Sequence, residues 1–99
     1  MILTTTNNIE GYQIIDYLGI VTGVSIYKGK LSMGFSISKY YNSIQDSVDT
    51  VKEESFKKLQ ENAQNLKANA IVGIKVEIEV LTSNYTMVSV TGTAVQLKL

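Results

Sequence analysis

The side chains that remain for acid–base chemistry in this chain are carboxylates, tyrosines and lysines, because its 99 residues include no His and no Cys. That composition removes thiol chemistry, nucleophiles paired with His, and the preferred protein ligands of zinc and copper. Glu77 and Glu79 stand two residues apart in an alternating pattern, so their carboxylates share one face of a predicted strand and are candidates for holding a hard cation. The other interpretation, which we prefer, is the solvated side of an amphipathic strand, so we predict no metal site.

The glycine-rich patterns that hold phosphates are missing as well. Gly29 and Lys30 lack the upstream glycine of a phosphate-binding loop, and Leu31 stands where Ser or Thr would contact magnesium. No dinucleotide-binding pattern and no nucleophile elbow occurs. We therefore expect no catalytic residue, no cofactor and a protein that is not an enzyme.

The charge balance argues against a nucleic-acid partner, and the short apolar runs argue against a membrane partner. Nine basic residues match nine acidic ones, so the net charge is zero, whereas nucleic-acid binding needs a clustered basic excess. No apolar run reaches the length of a membrane-spanning helix. The amino terminus does not have the pattern of a secretory signal and the chain has no Cys, so we expect a cytoplasmic protein.

The low share of charged residues points to a subunit interface. Charged residues make up 18% of the chain, against a usual share of about 25%. A domain this small leaves much of its surface outside its own core. A surface so poor in charge favours burial between copies, and we expect a homo-oligomer. The alternative is a monomer whose surface is filled out by Ser, Thr, Asn and Gln.

The apolar spacing predicts one domain over residues 1–99, in the order strand, helix, strand, strand. The predicted elements are a strand over 12–27, a helix over 44–70, strands over 71–81 and 87–97, and a short strand near 35–37. Both faces of the first strand are apolar. One parity contains Ile14, Leu18, Ile20, Val24 and Ile26, and the other contains Ile15, Tyr17, Gly19, Val21 and Gly23.

The connections predict an α+β subunit of two layers, with the long helix on one face of a sheet. A right-handed crossover makes the first two long strands parallel. If the last strand lies between them, the sheet order is 1-3-2. The second face of this sheet has no helix of its own, which is a further reason to expect oligomerisation.

Four glycines and two tyrosines form the predicted structural and interface set. Glycines within strands, such as Gly19 and Gly23, are typical of a close approach by another backbone or of a β-bulge, and tyrosines are favoured at interfaces. The set is Gly19, Gly23, Gly73, Gly92, Tyr17 and Tyr27.

Several segments, in order, carry a resemblance to a known family. They are Thr4-Thr5 with Gly11 and Ile14, GIVTG at 19–23, LKANAIVGI at 66–74, and MVSVTGTAV at 87–95. Together they make the chain similar to the YbjQ-like family of small bacterial proteins, whose label is heavy-metal binding. The resemblance covers nearly the whole chain and implies a β-α-β-β subunit assembled as a ring-shaped, propeller-like homopentamer.

The resemblance also bears on the expected function and on the backbone conformation at the end of the helix. We expect a non-enzymatic homo-oligomer for binding or scaffolding; the alternative is a small-ligand or metal-ion binding protein with its site at subunit junctions, its ligand unspecified. The family pattern has Gly before Ala-Asn-Ala, where a helix end would use a positive φ, and this chain has Lys67. We expect either Lys67 or Asn69 to adopt the left-handed conformation there.

Overall fold

The computed structural model describes residues 1–28, 37–82 and 85–99. Over those residues the chain forms one helix on a four-stranded mixed sheet, which confirms the predicted α+β class. The elements are β1 (Ile2–Leu3), β2 (Gln13–Lys28), α1 (Ile37–Asn65), β3 (Ala70–Thr82) and β4 (Tyr85–Lys98). No helix in the described ranges is both long and apolar enough to cross a membrane.

The sheet has the order β1-β3-β4-β2. The predicted order 1-3-2 numbered β2, β3 and β4 as strands 1, 2 and 3 and had no strand before them, so it is wrong for the sheet as a whole. The difference is the edge strand β1, which pairs in parallel with the start of β3. Ile2 and Leu3 are too few to show a period of two, and the backbone of β3 supplies their pairing. The long strand β4 is antiparallel to both β2 and β3 and lies between them.

Helix α1 begins and ends earlier than the predicted range of 44–70. Residues 35 and 36 of the predicted short strand lie outside the described residues, and Ile37 is the first residue of the helix. No Gly or Pro occurs between positions 37 and 65, so nothing in the backbone chemistry stops the helix from extending toward its amino end.

The helix ends in a Schellman motif at Lys67, whose φ is 62°. The N–H of Ala68 donates to the carbonyl of Ala63 at 3.1 Å, and the N–H of Lys67 donates to the carbonyl of Gln64 at 2.9 Å. These two bonds satisfy carbonyls that have no partner further along the helix. Of the two residues expected to take the left-handed conformation, Lys67 does so and Asn69 does not.

Two β-bulges near the start of β2 change which of its side chains share a face. Each extra residue reverses the alternation of the side chains that follow it. Tyr17 pairs with Val95 on the face away from α1, whereas Gly23 pairs with Val90 beneath α1. The predicted grouping of Tyr17 with Gly23 is therefore wrong. We call the two sides of the sheet the helix-covered face and the open face.

Most of the buried apolar side chains among the described residues fall into two clusters, one on each face. Beneath α1 the buried residues are Val21, Leu59, Ala63, Ile71, Ile74, Val90 and Ala94. On the open face the buried residues are Ala70, Val72, Val95 and Leu97, and Ile9 and Ile14 pack against them. Ile9 belongs to the segment that leads from β1, at one edge of the sheet, to β2 at the other, so this segment crosses the open face and covers one end of it.

Candidate functional site

A row of exposed apolar side chains follows β2 on the open face, and we call it the β2 strip. Its members are Tyr17, Ile20, Val24 and Ile26, with exposed fractions of 67%, 79%, 38% and 56%. Val24 lies opposite Ser89 and Ile26 lies opposite Met87, side chains on the same face of β4. Their neighbours Val21 and Ser25 point to the helix-covered face and are buried.

A second exposed row follows β3 on the helix-covered face, and we call it the β3 strip. Its members are Val76, Ile78 and Val80, with exposed fractions of 41%, 53% and 69%. Val76 lies opposite Val90 and Ile78 lies opposite Val88. The two β4 residues, Val88 and Val90, are fully buried. Helix α1 covers β2 and β4, where the hydroxyl of Ser55 lies 2.9 Å from the carbonyl oxygen of Val88. The β3 strip lies beside this covered area and stays in solvent.

The two strips lie on opposite faces of the sheet and on opposite sides of the central strand β4. Large contiguous apolar patches on soluble domains mark interaction sites. A partner that covers the β2 strip cannot also reach the β3 strip of the same subunit, because the thickness of the sheet separates them. The part of the chain that the structure describes therefore presents the two strips as separate apolar surfaces.

Glu77 and Glu79 lie side by side on the open face of β3, as predicted, and both are exposed. Glu77 is opposite Ser89 and Glu79 is opposite Met87, so β4 adds no charged ligand to the pair. Among the described residues, no three His, Cys, Asp or Glu side chains come close enough together to hold a metal ion. The arrangement fits the solvated side of an amphipathic strand.

Gly23 and Gly92 are positions of close approach within the subunit. A Cβ atom at Gly23 would overlap the carbonyl oxygen of Ser55, so the backbone of α1 rests directly on β2 there. A Cβ atom at Gly92 would lie 2.6 Å from Cγ2 of Ile71 and 3.0 Å from Cγ1 of Ile74, both on β3. Both glycines are needed for packing inside one chain, and their predicted role between subunits stays a prediction.

Gly19 and Gly73 are needed for backbone conformation. Gly73 has a φ of 62° at the irregularity where β3 loses register with β4, and its N–H donates to the carbonyl of Thr6 at 2.8 Å. The extra residue brings both Ile71 and Ile74 beneath α1. Gly19 has a φ of 137° beside the second bulge of β2. L side chains rarely adopt either conformation.

The two predicted interface tyrosines are not brought together by the fold. Tyr17 is the first member of the β2 strip on the open face. Tyr27 lies opposite Thr86 on the helix-covered face and is half-buried. Of the six predicted structural and interface residues, only Tyr17 lies in one of the two strips.

Three polar residues that hold the backbone in place were missed by sequence reasoning. Lys58 donates from Nζ to the carbonyl oxygen of Val24 at 2.9 Å, and Asn62 donates from Nδ2 to that of Thr22 at 2.8 Å. The side chain of Asn69 makes two bonds to the backbone of Leu97, accepting at 2.7 Å and donating at 3.1 Å.

The spacing of Lys58 and Asn62, four apart on one helix face, was visible in the sequence. Their acceptors lie 34 and 40 residues away in the chain. Only the packed structure identifies those acceptors.

Comparisons with known proteins agree with this fold. A family model described as "Putative heavy-metal-binding" matches residues 1–98. A UPF0145 protein of Anoxybacillus flavithermus is 36% identical over 108 aligned residues, covering 99% of both chains, and one from Geobacillus kaustophilus is also 36% identical with the same coverage.

A solved structure shares the fold. It is a protein of unknown function from the DUF74 family of Pediococcus pentosaceus, with a TM-score of 0.67 and 24% identity, covering 99% of this chain and 98% of that one. At that identity the likeness concerns the fold alone.

Proposed function

Because this chain belongs to the YbjQ-like family, we propose that it is a non-enzymatic, ring-forming homo-oligomer that acts by binding or scaffolding. The observation that carries the proposal is the pair of apolar strips on opposite faces of the sheet. The expected number of subunits is five, which is the number that the family resemblance implies.

The first support is the chemistry of the exposed surface. Ile20, Ile78 and Val80 are more than half exposed in a chain whose charged share is only 18%. Each such side chain gains about 1.5–3 kcal/mol when it is transferred fully from water to an apolar contact. A second copy of the chain is the partner that is present wherever the protein is present, and it carries apolar strips of its own.

The second support is the position of the strips. A two-fold axis pairs a surface with itself, so one such contact would bury one strip and leave the other in water. A head-to-tail contact, in which the β2 strip of one copy packs on the β3 strip of the next, uses both strips in one interface. Head-to-tail contacts produce a closed ring when the rotation between neighbours closes.

The donor chemistry does not fit the heavy-metal label of the family. Soft and borderline metals prefer thiolate and imidazole ligands, and the sequence contains neither Cys nor His. In the alternative function, a small-ligand or metal-ion site at a subunit junction, carboxylates such as Glu77 and Glu79 from neighbouring copies would have to combine. A thermal-shift panel of metals and small molecules tests this alternative, because only a ligand that binds the folded protein raises its melting temperature.

The decisive experiment is a mixing test with two interface variants. Ile20→Asp places a charge in the β2 strip and Ile78→Asp places one in the β3 strip, so each variant alone should be monomeric by light scattering. Mixed, they retain one intact β2 strip and one intact β3 strip, and we expect a heterodimer that cannot close into a ring. Gln64→Asp, an exposed helix position, is the matched control and should assemble like the wild type.

Three results would contradict the proposal. A wild-type mass near the 10.9 kDa of one chain would exclude assembly. Variants that still assemble separately would show that the strips are not the interface, and variants that stay monomeric when mixed would exclude the head-to-tail contact.

A further inference from the structure

The outer edge of β2 is long enough for a strand of another chain to pair with it. β2 has 16 residues and forms one edge of the sheet, and the exposed β2 strip lies along it. Unpaired backbone groups on a long, apolar edge are a template for pairing with another chain. A protein with such an edge needs a feature that keeps other strands away.

Two outward carbonyls of this edge are already bonded. In an antiparallel pair, alternate residues direct their backbone groups toward the neighbouring strand and away from it. On β4, Leu97 directs its N–H and its carbonyl toward Asn69 on the β3 side, so Val88 and Val90 direct theirs toward Ser25 and Gly23 of β2. Thr22 and Val24 alternate with those two residues of β2, so their carbonyls point away from β4. Nδ2 of Asn62 donates to Thr22 at 2.8 Å, and Nζ of Lys58 donates to Val24 at 2.9 Å.

The packing at Gly23 brings these donors within reach. Gly23 stands between Thr22 and Val24, and any side chain there would overlap the backbone of α1 at Ser55. Lys58 and Asn62 follow on one helix face, four residues apart. Because the helix lies so close to β2, the side chains of Lys58 and Asn62 reach the outer edge of that strand.

The opposite edge of the sheet is treated differently. β1 pairs with Ala70 and Ile71 of β3, and the chain that follows continues this pairing, where the N–H of Ile74 donates to the carbonyl of Thr4 at 3.1 Å. The backbone of the N-terminal segment therefore covers the start of the β3 edge. Side chains of the helix cover the middle of the β2 edge.

We propose that Lys58 and Asn62 guard the β2 edge against strand addition by a second copy of this chain. By occupying the outward carbonyls of Thr22 and Val24, they withdraw the acceptors that an incoming strand requires. Copies are thereby limited to contacts between faces, and open-ended edge pairing is suppressed. The proposal applies to the edge of each subunit, whether or not the copies close into a ring.

The test compares two double variants of equal composition and charge. Lys58→Ala with Asn62→Ala removes the guard, while Lys57→Ala with Asn65→Ala removes the same residue types from other exposed positions of α1. We expect the guard variant to form large species in sedimentation and about tenfold more thioflavin fluorescence than wild type, as cross-β assemblies do. The control should match the wild type.

A single variant keeps the test decisive if the double variant does not fold. Asn62→Leu retains the approximate side-chain volume but has no donor for the carbonyl of Thr22 and adds no charge to the edge, and circular dichroism reports whether the variant folds. We expect it to form thioflavin-positive assemblies more slowly than the double variant. If the folded guard variants keep the wild-type mass and fluorescence, the proposal is wrong. A monomeric wild type would refute the ring and would leave this comparison unaffected.

Discussion

The two ends of the sheet have similar residue types but opposite exposure. At the closed end, around Ala70, Val95 and Leu97, the open face is covered by the segment that contains Ile9. At the open end, which contains the β3 strip together with Val24 and Ile26 of the β2 strip, side chains such as Ile26 and Val80 are 56% and 69% exposed. Alternating Val and Ile residues thus form a finished core at one end and uncovered surfaces at the other.

This difference shows that the burial of an apolar side chain on the sheet depends on which segments of the chain cross that part of the sheet. The same strand β3 contributes Val72 to the core and Val80 to the exposed strip. The chain covers one end of the open face with its N-terminal segment, and it leaves the β3 strip beyond the reach of α1. The open end is therefore where another molecule can add the most to stability.

Leu97→Ala is expected to have the largest effect. Leu97 is 1% exposed at the closed end, and truncating a buried Leu costs about 2–5 kcal/mol of unfolding free energy. The matched change at the open end, Ile78→Ala, should cost about 1 kcal/mol or less in an isolated subunit, because half of that side chain is already in water. Urea unfolding at low protein concentration measures both values.

Protein concentration sharpens this first comparison. If copies pack on the β3 strip, the cost of Ile78→Ala should rise with concentration while the cost of Leu97→Ala stays constant. Equal costs at every concentration would remove the distinction between the two ends.

Gly92→Val is the next largest expected effect. A Cβ atom at Gly92 would lie 2.6 Å from Cγ2 of Ile71 and 3.2 Å from the carbonyl oxygen of Val72, and such overpacking costs about 1–3 kcal/mol. Glu77→Gln changes an exposed carboxylate and should alter stability by less than about 0.5 kcal/mol. Thermal melts and gel filtration of the two variants measure the contrast.

A metal site at the open end would reverse that order, because the ligand Glu77 would then be the sensitive position. If Glu77→Gln dissociates the assembly while Gly92→Val leaves it intact, both the packing argument and the preference for a scaffold are refuted.

Lys67→Gly is expected to stabilise the protein modestly. Lys67 holds a φ of 62° where α1 returns to the closed end, and glycine removes a strain of up to about 1 kcal/mol. Lys57→Gly, the same exchange within the helix, should instead cost about 1 kcal/mol. Chemical denaturation of both variants measures whether each unfolding free energy rises or falls relative to the wild type. A loss of stability for Lys67→Gly would show that the helix end is not strained.

Zinc, copper and cadmium are expected to have the smallest effect of all. The donor set contains no imidazole and no thiolate, so we expect no binding of submicromolar affinity. Isothermal calorimetry with each metal measures this. Tight binding of one ion per chain would indicate a carboxylate site assembled from neighbouring copies, and the open end would then be a metal site.

Much of the fold was predictable from local patterns. Alternation over Ile74 to Val80 predicted β3 and the shared face of Glu77 and Glu79, and three- and four-residue apolar steps predicted most of α1. Gly19 within the strand allowed a bulge, and the structure has one beside it, whereas the earlier bulge between Ile14 and Asp16 was not predictable, because an inserted residue leaves no mark on an alternation that is apolar on both faces. The strand β1 was missed for the related reason that two residues have no period.

What the sequence determined by itself was the type of each long element, the absence of His and Cys and hence of thiols and His-paired nucleophiles, and a surface poor in charge. These properties follow from residue type and short-range spacing. The tertiary structure alone decided which apolar side chains are covered, that Lys58 and Asn62 bond the edge of β2, and that the two strips face opposite ways. Those features depend on contacts between residues that are distant in the chain, and no local pattern records which distant segments will meet.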